Sequence, residues 1–205
     1  MRGSSHALVG IAAASPIAIA AGHELAIPLL ALGALAGMLP DIDHRYSALG
    51  RFLPWPSVEV TGKGTFVRTG RRWFGGHTIW HRGETHSIGA AAIAMALAFA
   101  LGLFVAPLVG PASVAVPAWG WAGAHPLWLA LLMALVAGAG YMSHLVADLI
   151  NPSKQMWAWP LSSTMKRPHG LPSVRSGSVL GWVVETGIVA LLMAGVWAEA
   201  GSNLL

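Results

Sequence analysis

The chain has 205 residues, enough for one domain; 55% are hydrophobic and only 10% charged, with a mean hydropathy of +0.63. An ordinary soluble domain carries about 25% charged residues, so this composition excludes one and points to a membrane. There is no cysteine, which removes disulfides, thiolate ligands and a cysteine nucleophile, and the net charge of +4 is too unevenly spread along the chain to make a nucleic-acid stripe.

Five hydrophobic segments follow one another, at about 7–21, 25–39, 88–109, 126–150 and 179–198. From Thr85 to Ala147 no Asp, Glu, Lys or Arg occurs. A transmembrane helix needs roughly 20 apolar residues, so that stretch holds two spans and a turn. The first two segments are shorter and contain Pro16 and Pro28, so they form either two tilted spans or a re-entrant hairpin. In both cases the chain returns to the side it started from. The expected fold is therefore an all-α, polytopic membrane helix bundle of about five helices, a single integral membrane domain over 1–205.

The basic residues set the expected orientation, because Lys and Arg concentrate in cytoplasmic loops. With the N-terminus inside, the inner segments are 1–6, 40–87 and 151–178, and they contain all 12 Lys and Arg of the chain. The expected location is the inner, cytoplasmic membrane, with 40–87 and 151–178 as cytoplasmic motif-bearing loops. Arg2, the apolar run after it and Ala18-Ile19-Ala20 also fit a cleaved signal peptide. A second apolar segment following at once favours the hairpin. The 45–80 stretch is rich in Arg, Gly and aromatics, as suits a loop lying on anionic headgroups.

The acids and histidines fall at one end of this bundle. His6 opens the first helix, and Pro40-Asp41-Ile42-Asp43-His44 ends the second. His77 and the run His81-Arg82-Gly83-Glu84-Thr85-His86-Ser87 precede the third. His144 and Asp148, four apart on a helix and so on one face, end the fourth. Each group has an unremarkable explanation alone: a hydrogen-bonded His–Asp pair, a proline turn, a polar helix cap. Together they hold all three Asp of the chain. Imidazole with carboxylate suits Zn, with Mn or Fe as alternatives, and this many donors suits more than one ion. Arg82 is the residue type that grips phosphate. Glu185, an acid within the fifth segment, is a candidate ligand, orienting group or packing group. His23, His125 and His169 lie outside the constellation.

These motifs resemble the YdjM-type family of bacterial and archaeal inner-membrane proteins, over roughly residues 3–165. The resemblance implies a metal-dependent hydrolase, with metal positions at His6, Asp41, Asp43, His81, His86, His144 and Asp148. The His144/Asp148 pair is also distantly similar to the His-x-x-x-Asp pair of the zinc-dependent phospholipase C and P1-nuclease group, whose further His-x-x-x-Glu pair this chain lacks. The resulting expectation is a phosphoesterase acting on a lipid or lipid-linked substrate, with His81, Arg82 and Asp43 as catalytic residues. The alternative is a non-enzymatic, metal-stabilised scaffold or regulator-binding protein. Expected partners are membrane lipids and the lipid substrate, with no nucleic acid. Gly- and Ala-rich helices pack equally well within one chain or in a homo-oligomer.

Overall fold

The computed structural model describes residues 3–21, 23–61, 67–72, 77–109, 126–149 and 154–164, together with 178, 183, 186, 187, 190 and 194. Most of the fifth segment, Glu185, His125 and His169 lie outside the described residues. Among the described residues, four α-helices carry the architecture: α1 (Gly3–Ala20), α2 (His23–Met38), α3 (Ile88–Val109) and α4 (Pro126–Asp148). Among the described residues, Leu25–Asp43, Ile88–Leu108 and Pro126–Asp148 are long and apolar enough to cross a membrane, and Ser4–Ala20 is apolar but shorter. The second segment gains its length from a 3-10 turn, Leu39–Asp43, that continues α2 without a break. Pro16 and Pro28 sit inside α1 and α2, as membrane helices tolerate when neighbouring helices and polar groups satisfy the freed carbonyls.

α1, α2 and α4 pack on one another, and α3 packs on α4. Their shared core is built from Ala14, Ala18, Leu25, Leu29, Leu129 and Val136. Glycines bring the backbones together: a Cβ on Gly140 would lie 2.5 Å from the Gly33 carbonyl oxygen, and one on Gly37 would lie 2.5 Å from that of His6. Such close approach is the usual way for helices to pack when lipid removes the hydrophobic drive between them. Along α3, Ile93, Leu97, Leu101, Phe104 and Leu108 are exposed at helical spacing, an apolar stripe of the kind acyl chains cover.

The stretch between α2 and α3 departs from the all-α expectation. It forms a small antiparallel sheet in the order β1 (Ser57–Thr61), β2 (Val67–Arg72), β3 (Thr78–Trp80). Arg71 is buried and pins the preceding loop to this sheet, donating to the carbonyls of Leu53 at 3.1 Å, Trp55 at 2.6 Å and Gly50. The sheet leads into a 3-10 turn, Glu84–His86, and then into α3. Ser87 starts that helix, its hydroxyl accepting the Ala90 N–H at 3.0 Å, as an N-cap does.

Candidate metal centre

One end of the bundle gathers side chains from four parts of the chain. α1 contributes His6, and α2 with its 3-10 extension contributes Asp41 and Asp43. The turn before α3 contributes His81 and His86, and the last helical turns of α4 contribute His144 and Asp148. All seven expected metal positions converge. His6, Asp43, His86, His144 and Asp148 are buried, while Asp41 and His81 keep 18% and 23% of their side chains exposed.

Two donor triplets are preformed: His6, His144 and Asp148, and Asp41, His81 and His86, with the donor atoms of each within 4.8 Å of one another. In the first, His6 Nε2 is 3.7 Å from Asp148 Oδ1, and His144 Nε2 is 3.9 Å from Asp148 Oδ2. In the second, His86 Nε2 is 3.4 Å from Asp41 Oδ1. The triplets interlock, since His144 Nε2 is also 3.7 Å from Asp41 Oδ1 and His86 Nε2 is 3.8 Å from Asp148 Oδ2. These separations exceed a hydrogen bond. Two donors each about 2.1 Å from one tetrahedral ion stand about 3.4 Å apart, so the spacing fits a shared cation.

The ring orientations fit as well. The Nδ1–H of His144 donates to the Gly37 carbonyl at 2.7 Å. Thr85 spends its hydroxyl proton on Asp43 Oδ2, so it receives the Nδ1–H of His86, at 3.2 Å. Nε2 of both rings is then the lone-pair nitrogen. Each is buried without a hydrogen bond and faces the carboxylates. Holding the far nitrogen of a histidine on a carbonyl or hydroxyl is how proteins orient metal ligands. The rings of His6 and His144 stack at 3.7 Å between centroids, which fixes His6 in turn.

Asp43 stands just behind the triplets. It receives His81 Nδ1 at 2.9 Å and the Thr85 hydroxyl, while the Tyr141 hydroxyl steadies the turn by donating to the Thr85 carbonyl. Burial alone would lower the His81 pKa. The hydrogen bond and charge of Asp43, helped by Asp41, outweigh it and hold the imidazole above its ordinary value. His44 lies beside this ring, at 4.9 Å between centroids, and is shifted downward by burial and by His81 itself.

Arg82 takes a left-handed backbone conformation, with φ of 63°, which costs a non-glycine residue about 1–3 kcal/mol. The turn aims its guanidinium at Asp148, with Nη2 3.3 Å from Oδ2. The stretch after α4 holds this turn in place: Met156 N–H donates to the Arg82 carbonyl at 3.2 Å, and Ile88 N–H to that of Trp157 at 3.1 Å. His77 is not brought in. It is exposed and pairs with Glu84 at 3.4 Å, so His77→Ala is expected to leave metal content unchanged when the purified protein is analysed.

Sequence reasoning missed Gly37, Thr85 and Tyr141 as individual contributors. Thr85 and Tyr141 carry a signal, since each puts a hydroxyl beside a histidine motif. Gly37 acts through its carbonyl and carries none.

The fold and composition define a helical membrane bundle with a polar His/Asp chamber at one end. The family model "YdjM inner membrane protein" matches residues 1–203, and the chain belongs to this family. It is 30% identical over 138 residues to the inner membrane protein YdjM of Escherichia coli K12, covering 67% of this chain and 52% of the relative. The YdjM protein of Shigella flexneri matches equally. The chain thus spans about half the length of the curated relatives it matches. No solved structure matches.

Proposed function

We propose that the protein is a membrane-embedded, metal-dependent hydrolase, a phosphoesterase acting on a lipid or lipid-linked substrate at the cytoplasmic face of the inner membrane. One observation carries this reading. The Nε2 atoms of His86 and His144 are buried, make no hydrogen bond, and stand 3.4–3.9 Å from the carboxylates of Asp41 and Asp148.

Zn, or Mn or Fe, held by His6, Asp41, His81, His86, His144 and Asp148 would supply activated water and Lewis-acid polarisation of a phosphoryl oxygen. Asp43 is placed to take the proton. It belongs to neither donor triplet, and its two hydrogen bonds leave acceptor capacity on a carboxylate. His81 holds Asp43 in place behind the triplets through its Nδ1 hydrogen bond. Arg82, partly exposed beside Asp148, binds a non-bridging phosphate oxygen. The apolar stripe on α3 and the arginines of the 45–80 stretch suit a substrate whose tail stays in lipid and whose phosphate reaches the interface.

The burial of His6, His144 and Asp148 favours a second reading, a metal-stabilised scaffold. The partial exposure of Asp41, His81 and Arg82 favours the hydrolase. Transport fits less well, because its polar groups belong near the bilayer midplane.

Metal analysis of the purified protein beside His144→Ala and Asp148→Ala tests the centre, and both variants are expected to lose metal. Equal content in all three overturns it. Release of phosphate or headgroup from a panel of phospholipids and lipid-linked phosphates, abolished by chelator, tests the enzyme. No turnover across the panel with metal in place leaves the scaffold.

A further inference from the structure

The two donor triplets differ in ways that reach beyond the proposed reaction. We infer that they have unequal tasks: His6, His144 and Asp148 hold a permanent ion that clamps the N-terminal helix to the bundle, and Asp41, His81 and His86 hold an exchangeable ion at which substrate reacts. The inference rests on the metal-dependent reading above.

Access is the first difference. His6, His144 and Asp148 are all at most 2% exposed, whereas Asp41 and His81 reach solvent through 18% and 23% of their side chains. An ion leaves a protein stepwise, as water replaces one donor after another. A closed, all-protein shell holds its metal structurally, while a reacting ion needs an open position. Only the second triplet has an open side.

Origin is the second difference. The inner donors stand on α1 and α4, two helices that pack directly on each other. The outer donors stand on two 3-10 turns and the residues beside the small sheet.

Clamping is the third. His6 is the donor that α1 supplies, and its Nδ1 makes no hydrogen bond. Close helix packing, the stack of His6 on His144 and whatever His6 Nε2 binds are thus among the contacts that hold the N-terminal end of α1 at the chamber. The two oxygens of Asp148 face different neighbours: Oδ1 lies 3.7 Å from His6 Nε2, while Oδ2 lies 3.3 Å from Arg82 Nη2, 3.8 Å from His86 Nε2 and 3.9 Å from His144 Nε2. The guanidinium thus approaches the carboxylate from the Oδ2 side and leaves Oδ1 facing His6. Asp41, with Oδ1 3.7 Å from His144 and Oδ2 4.0 Å from His6, spans the gap between the triplets.

The test uses the full chain in detergent or nanodiscs, loaded with zinc alone. Zinc is counted before and after timed exposure to a mild chelator, and thermal unfolding is recorded at each stage. Two equivalents are expected at the start. One should leave early with little change in Tm, and the second should leave only as the protein unfolds. His81→Ala is expected to bind a single equivalent that leaves only on unfolding, and His6→Gln to bind less zinc with none held until unfolding. Two equivalents leaving together, or a single equivalent at the start, overturns the division while leaving a metal centre. Absence of any bound zinc overturns the metal reading itself. The chelation course needs no variant, so a misfolded His6→Gln does not spare the inference.

Discussion

Gly37→Ala is expected to remove His6 from the chamber and to cost the protein metal, although the substitution adds one methyl group and touches no ligand side chain. The new Cβ would lie 2.5 Å from the His6 carbonyl oxygen and 3.1 Å from the Gly10 Cα. Both obstacles are backbone, so no side-chain rotation relieves them, and α1 must move away from α2. Overpacking of this kind costs about 1–3 kcal/mol in a close-packed interior. The functional cost is larger, because the same residue has a second role. Its carbonyl receives the Nδ1–H of His144 and so turns Nε2 of that ring inward. One methyl group displaces one ligand and loosens the anchor of another. Gly102→Ala is the control: its Cβ would meet the Ala130 Cα at 2.5 Å, an equal insult between α3 and α4. Both variants are expected to unfold at lower temperature. Only Gly37→Ala is expected to lose zinc, and retention of full zinc by that variant would refute the positioning role.

Thr85→Val should lower metal affinity, or turnover, by about 10–100-fold, the usual effect of removing a group that orients a metal-binding histidine. Valine keeps the volume and shape and deletes the hydroxyl. That hydroxyl donates to Asp43 Oδ2 and accepts from His86 Nδ1, so its loss leaves a buried carboxylate oxygen and a buried imidazole N–H unpartnered together. Each orphaned group costs about 1–3 kcal/mol, enough to let His86 rotate or change tautomer. Thr85→Ser retains the hydroxyl and is expected to recover most of the affinity. Zinc titration against a competing chelator distinguishes the three proteins. Equal affinities would mean that His86 is held by packing alone.

Much of the chamber was legible in the sequence because its donors are chemically conspicuous and topologically aligned. His6, Asp41, His86, His144 and Asp148 each sit where an apolar run meets a polar one, and returning helices bring such points to one end. The His144/Asp148 spacing was a statement about one helix face, and the structure places both side chains in the same triplet. Other features were not legible. The sheet at 57–80 escaped because its strands are short and one of them, Val-Arg-Thr-Gly-Arg-Arg, does not alternate apolar with polar residues. Its stability comes from pairing and from Arg71 reaching back to three carbonyls, which no local pattern announces. α2 ends at Met38, beside the expected boundary at Leu39, but the apolar span runs further, because Pro40 enters a 3-10 turn that carries Asp41 and Asp43 onward. Gly37 was invisible as a positioning residue, since a carbonyl is common to every residue and only the fold decides which one a histidine meets.

The spread of the donors along the chain bears on how the protein is made. His6 leaves the ribosome 142 residues before Asp148, which emerges only after α1, α2, the sheet and α3 have been synthesised. At about 5–20 residues per second, the earliest donor waits roughly seven to thirty seconds for the last. Asp41, His81 and His86 are all made within that interval, but the triplet of His6, His144 and Asp148 is incomplete until its end. On the proposed metal-dependent reading, the ion held by His6, His144 and Asp148 would be loaded last, once α4 has been made.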